Sequence, residues 1–256
     1  MKDNTEQEQL INNQFAKSEA IDSTKKEAPS AISCDLLRQS AYELIGTFMF
    51  MSVIYFCKGD VAKFVFGFWV ILSIFGRFSG AHVNPAITLG FYVYEGDYIT
   101  GIPKLLLYWT AQFIGALSGA LVTKRFFSDV VYVGVPTNQP LADIMYSEFF
   151  FTGTFLFVIL WVCSKETSPT PYSPINCGII VGWFYLIVNA GSSLSGAAYN
   201  PAILTVLNTI AYHVKDGKAI HYLGYMIGAE FAGVIIFALI FAWFFEPYIA
   251  NKNKLK

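Results

Sequence analysis

The residues best placed to do chemistry in this 256-residue chain come as two matching tripeptides, Asn84-Pro85-Ala86 and Asn200-Pro201-Ala202. Asparagine is a strong helix N-cap, and proline suits the first helical position, where its missing N–H costs nothing. Each tripeptide therefore starts a helix, and the proline rings allow two such helices to stack tip to tip. Each Asn side chain then keeps a donor free for a passing molecule. A helix N-terminus carries about half a positive charge, so two of them meeting at the centre of a membrane repel a cation. A neutral dipolar molecule instead meets two amide donors and a ladder of carbonyls. Water held by both donors must reorient, which interrupts a proton wire.

The elements that must position these groups follow from the charge pattern. Residues 1–38 hold 12 of the 35 charged side chains (Lys2, Lys17, Lys25, Lys26 and Arg38 against seven Asp/Glu), leaving a remainder with about a tenth of its residues charged. That scarcity, with nearly all of the 24 Phe, 15 Tyr and 5 Trp in the remainder, makes a bilayer its natural solvent. The opening stretch reads as a disordered tail, since it cannot bury enough apolar surface to offset its ordering entropy. A net charge of −1 gives no nucleic-acid footprint, and Cys34, Cys57, Cys163 and Cys177 show neither disulfide nor metal spacing. No cofactor or metal is implied, and no catalytic constellation or phosphate loop points to an enzyme.

Six apolar stretches reach spanning length, at about 40–57, 61–79, 105–123, 145–163, 175–192 and 221–245. Segments 85–94 and 201–211 are apolar but too short to span. Each follows a small-residue loop, Ser79-Gly80-Ala81-His82-Val83 or Ser195-Gly196-Ala197-Ala198-Tyr199, and reads as a re-entrant half-helix. The chain also repeats itself. Glu43-Leu-Ile-Gly-Thr-Phe-Met-Phe matches the run from Glu148, the two Asn-Pro-Ala loops match, and Ala111-Gln112-Phe-Ile-Gly matches Ala229-Glu230-Phe-Ala-Gly. The offsets are 105, 116 and 118 residues, in the same order. Three spans per half is an odd number, so the second half sits inverted relative to the first. The expected fold is an all-α membrane protein of six transmembrane helices and two half-helices. Lys/Arg counting favours both termini in the cytosol, without resolving plasma from internal membrane.

On these motifs the sequence resembles the aquaporin (major intrinsic protein) family over residues 39–247. The halves would be 39–123 and 145–247, joined by loop 124–144, with a short basic C-terminus at 248–256. The resemblance implies a passive channel for water or small neutral solutes in each protomer of a homotetramer. It also implies that Glu43 and Glu148 hold the half-helix loops by accepting backbone N–H bonds, with His82 as a loop brace. The family's usual spacing assigns the outer selectivity filter to Phe64, Val188, Ala197 and Ile203. The last departs from the family, which has arginine there; an unorthodox filter of this kind is similar to the superaquaporin-like branch. An apolar ring is expected to tolerate glycerol, ammonia or hydrogen peroxide, or to dewet and close.

Three features stay open at this level. Gly115-x-x-x-Gly119 and Gly224-x-x-x-Gly228 read as small-residue faces for the crossing of the two halves. Ser168-Pro169, Thr170-Pro171 and Ser173-Pro174 form either a stiff turn or a set of proline-directed phosphosites. Glu43, Glu148 and Glu230 are intramembrane carboxyls, for which a structural role is favoured over a proton relay. The rival functions are a proton-coupled transporter built on these carboxyls and a junction or scaffold protein with a closed pore.

Overall fold

The computed structural model describes residues 32–127, 139–214 and 220–254. The expected tail disorder over residues 1–31, and most of the link between the halves, lie outside the described residues.

Helix α1 spans Cys34–Cys57, α2 Val61–Ser79, the short α3 Pro85–Glu95 and α4 Ile102–Phe126. The second half repeats the order with α5 Leu141–Cys163, α6 Ser173–Gly191, the short α7 Pro201–Val214 and α8 Leu223–Ile240. A π-helical turn, Phe241–Phe245, carries α8 on into α9, Glu246–Lys254. Among the described residues six helices are long and apolar enough to cross a membrane: α1, α2, α4, α5, α6 and the run Leu223–Ala250. α3 and α7 are too short to cross.

Two boundaries differ from the sequence reading. α1 begins at Cys34, inside the stretch assigned to the tail. Ser33 caps it, its Oγ accepting from the Leu36 N–H at 3.1 Å, and Arg38 pairs with Asp35 at 2.7 Å. A helix that starts outside the hydrocarbon can carry charge in its first turn, which is why charge density alone set the boundary too late. At the other end, the basic C-terminal segment continues the helix as α9. Glu246 anchors it, accepting from Tyr94 Oη at 2.7 Å and Ser164 Oγ at 2.6 Å.

Packing repeats across the two halves. α1 lies along α4 as α5 lies along α8, and α1 meets α2 as α5 meets α6. α3, from the first half, packs on α8 of the second; α7, from the second, packs on α4 of the first. α2 and α6 complete the ring by packing on each other. Each half thus houses the other's short helix, the arrangement expected of an inverted repeat.

Close crossing depends on particular glycines. A Cβ at Gly119 would stand 2.6 Å from the Phe48 carbonyl oxygen, and one at Gly115 would strike the Leu44 carbonyl oxygen. In the second half the matching role falls to Gly233, against the Phe149 carbonyl oxygen, and to Gly153, against the Phe237 ring. Gly224 and Gly228 meet nothing within 4 Å and serve no crossing, and Gly115 and Gly119 pack on α1 within the first half, not across the two halves as the sequence reading had it. Gly233→Ala is expected to destabilise the protein by about 3 kcal/mol through overpacking against backbone, and Gly224→Ala by less than about 0.5 kcal/mol. Thermal melting in detergent reads the difference.

Candidate functional site

The two Asn-Pro-Ala loops are brought together at the centre of the bundle by crossed hydrogen bonds. Asn84 Nδ2 donates to the Tyr199 carbonyl at 2.7 Å, and Asn200 Nδ2 donates to the Val83 carbonyl at 2.9 Å. Each amide oxygen caps its own helix. Asn84 Oδ1 accepts from the Ala86 and Ile87 N–H groups at 2.9 and 3.5 Å; Asn200 Oδ1 accepts from Ala202 and Ile203 at 3.1 and 3.4 Å. One N–H of each amide is used in the cross-bridge, and the second is left for another acceptor. Ala86 and Ala202 are fully buried, where a larger side chain would force the two short helices apart.

The loops leading into these motifs hold strained backbone. Ala81, Val83, Ala197 and Tyr199 have φ of 48°, 42°, 56° and 48°, and Gly80 and Gly196 both have φ of 88°. A β-branched residue such as Val83 rarely adopts this region, so the conformation must be imposed from outside. Glu43 imposes it in the first half. Its Oε1 accepts from Ser79 Oγ at 2.6 Å and the His82 N–H at 3.0 Å, and its Oε2 from the Val83 N–H at 2.7 Å and Gln112 Nε2 at 2.9 Å. Gln112 Nε2 also donates to Thr88 Oγ1 at 2.9 Å, which in turn donates to the Asn84 carbonyl at 3.0 Å. His82 Nδ1 lies 3.2 Å from Thr88 Oγ1, and its ring stacks on Phe91 with centroids 4.6 Å apart.

The second half is built on the same plan with fewer bonds. Glu148 Oε2 accepts from the Tyr199 N–H at 3.1 Å, and Ser195 Oγ pairs with Ser147 Oγ at 3.2 Å. Tyr199 Oη donates to the Ile187 carbonyl at 3.2 Å. His82 and Thr88 correspond by the 116-residue offset to Ala198 and Leu204, so two of the polar braces have no counterpart.

A cavity opens on each side of the junction. The larger, about 800 Å³, is lined by Gly80, Ala81, His82 and Ile87 together with Phe68, Phe155 and Ile180. The smaller, about 200 Å³, is lined by the equivalents Gly196, Ala197, Ala198 and Ile203 together with Phe50, Phe64, Phe184 and Val188. The four residues assigned from sequence as filter positions, Phe64, Val188, Ala197 and Ile203, therefore share one wall-to-wall space. Asp60 also borders it; the Lys63 N–H and ammonium hold its carboxyl below the usual carboxylate range. Ser168, Thr170 and Ser173 border the larger cavity. Asn176 Nδ2 ties this strand of chain together by donating to Ser168 Oγ at 3.1 Å and the Thr170 carbonyl at 2.9 Å.

Sequence reasoning missed a phenylalanine cluster that borders both cavities, Phe68 and Phe155 the larger, Phe50 and Phe184 the smaller. Phe50, Phe68, Phe155 and Phe184, one from each of α1, α2, α5 and α6, are all buried and in contact. Ring centroids lie 4.8 Å apart for Phe50–Phe68, 5.3 Å for Phe68–Phe184 and 4.8 Å for Phe155–Phe184. The pattern that would have found them is the repeat itself, since the 105- and 116-residue offsets carry Phe50 to Phe155 and Phe68 to Phe184.

Comparison with known proteins is consistent with this architecture. The family model for the major intrinsic protein matches residues 58–237. Aquaporin NIP2-2 of Zea mays is 31% identical over 62% of this chain and 52% of its own, and Aquaporin-8 of Mus musculus is 30% identical over 67% and 66%. The match thus spans between about half and two thirds of these relatives' length. The crystal structure of the aquaglyceroporin from Plasmodium falciparum superposes with a TM-score of 0.74, covering 84% of this chain and 99% of that one, at 18% identity.

Proposed function

This chain belongs to the major intrinsic protein family, and from that premise we propose that it is a passive channel for water and small neutral solutes. The observation that carries the reading is the pair of crossed Asn84 and Asn200 amides between two symmetry-related cavities. A molecule passing from one cavity to the other meets a free N–H of each amide and the N-termini of α3 and α7. Those dipoles oppose a cation and leave a neutral dipole unhindered.

Phe64, Val188, Ala197 and Ile203 form the outer selectivity filter in this proposal. With no guanidinium and no strong side-chain donor, the ring discriminates by size and apolarity. Glycerol, ammonia and hydrogen peroxide join water as the solutes to test. Glu43, Glu148 and His82 brace the loops. Ser168, Thr170 and Ser173 are candidate phosphosites at the larger mouth, where a phosphoryl group on Ser168 removes the proton its Oγ donates to the Thr170 carbonyl. Both termini are proposed to face the cytosol and the assembly to be a homotetramer.

Stopped-flow light scattering on proteoliposomes, with each solute applied separately, tests the function. Flux linear in gradient with a low activation energy is expected. Saturable, pH-driven flux would replace the channel with a coupled transporter.

The phenylalanine cluster favours a second reading, in which the pore is closed at rest and the protein serves as a membrane scaffold. Phe184→Ala separates the two. In an open channel the change alters water permeability little; in a channel held shut by aromatic packing it raises water permeability severalfold over wild type. Phe184 touches both Phe68 and Phe155, so its removal opens the cluster; for the proposed channel little change is expected, and a severalfold rise would favour the closed pore.

A further inference from the structure

Glu230 stands where the first half has Gln112, and both are fully buried. The Gln112 amide donates to Glu43 and completes a carboxylate with four donors. An ionised Glu230 has nothing to donate. By the repeat its carboxyl takes the place of the Gln112 amide, on the helix that packs along α5 and its Glu148. Glu148 Oε1 and both oxygens of Glu230 have no donor among the described residues.

Two buried carboxylates in contact cannot both be ionised without a compensating cation. The groups around the pair are Ser195 and the backbone of Ala198, Tyr199 and Asn200, of which the Tyr199 N–H donates to Glu148 Oε2 at 3.1 Å. Tyr199 is the other titratable side chain in range, and its hydroxyl is engaged with the Ile187 carbonyl. None of these is a cation, and among the described residues no cluster of three metal-ligating side chains exists. A proton is the one ligand that satisfies this site, turning one orphaned oxygen into a donor and another into its acceptor. The single negative charge that remains faces the loop N–H groups and the start of α7, where the helix dipole favours it.

We infer that Glu148 and Glu230 share one proton, and that this carboxylic acid–carboxylate pair supports the second half-helix as the Gln112 amide supports the first. Glu230 is a positioning residue, acting on α7 through Glu148. The two half-helices are then held by equivalent geometry with different chemistry, one permanent and one dependent on a bound proton.

The test is made on purified full-length protein in detergent, without any solute flux, and so stands apart from the channel assay. Infrared spectra of the wild type at neutral pH are expected to contain a protonated-carboxyl C=O stretch that disappears in both Glu230→Gln and Glu148→Gln. The native state binds one proton more than the unfolded chain above the ordinary glutamate value of about 4.3, so its stability falls with rising pH, by at most about tenfold in the folding equilibrium per pH unit. In Glu230→Gln this slope is expected to flatten, because an amide donates at every pH. Glu230→Leu, similar in size but without a donor, is expected to melt well below Glu230→Gln. Absence of the wild-type band, an unchanged pH slope in Glu230→Gln, or equal melting of the Gln and Leu variants would overturn the shared proton.

Discussion

Glu43→Ala is expected to leave no folded protein. The carboxylate accepts four hydrogen bonds, two from backbone N–H groups at His82 and Val83 and two from Ser79 and Gln112. Hydrogen bonds to a charged group contribute about 1.5–3 kcal/mol each, and a buried donor left without a partner costs a comparable amount. Four together approach the entire stability of a typical domain, about 5–15 kcal/mol. The loss also releases the positive-φ backbone at Ala81 and Val83, which has no reason to persist without the carboxylate. Asn84 then has no fixed position from which to meet Tyr199. Recovery of monodisperse protein after size-exclusion chromatography in detergent is the measurement, with wild type run in parallel. An alanine variant that elutes and melts like the wild type would remove Glu43 from this role.

Ile203→Arg is expected to narrow the range of solutes. Ile203 is buried and borders the 200 Å³ cavity, facing Phe64, Val188 and Ala197 across it. A guanidinium there fills space, adds five donors and introduces a fixed positive charge. Glycerol, which must pass its carbon backbone through the ring, should lose at least about tenfold in permeability, equivalent to about 1.4 kcal/mol of added barrier. Water, smaller and a better match to polar walls, should lose far less. The ratio of glycerol to water permeability in proteoliposomes therefore falls. If both rates are unchanged, Ile203 does not line the path.

What could be read from sequence was whatever is local or repeated. Asn84-Pro85 and Asn200-Pro201 announce helix starts within a few residues, and their shared offset predicts that the halves face each other. The structure joins them through the carbonyls of Val83 and Tyr199. The start of α1 at Cys34 was equally local, in the Ser33 cap, but a count of charges over a long window concealed it. The crossing glycine of α8 was legible and misread. The 118-residue offset carries Gly115 to Gly233, whereas Gly224 merely has the same spacing to Gly228. The phenylalanine cluster was hidden for a different reason. In a soluble helix the buried face is betrayed by polar residues on the other side, but a helix in hydrocarbon is apolar all round. Nothing in α1 or α6 taken singly tells Phe50 or Phe184 from the phenylalanines that face lipid.

The crossed asparagine bonds bear on how the protein is made. The first half leaves the ribosome before the second exists, and at that stage the Asn84 amide lacks the Tyr199 carbonyl and the Val83 carbonyl lacks the Asn200 amide. α3 likewise has no α8 to lie against. A short helix with open polar groups is poorly suited to hydrocarbon, so it must wait at the membrane surface or in a protein-lined channel. Only when residues up to the end of α8 have been synthesised can both loops enter and lock. Insertion of the two half-helices is therefore a single late event, and a nascent chain stopped before Tyr199 holds five spans and no site.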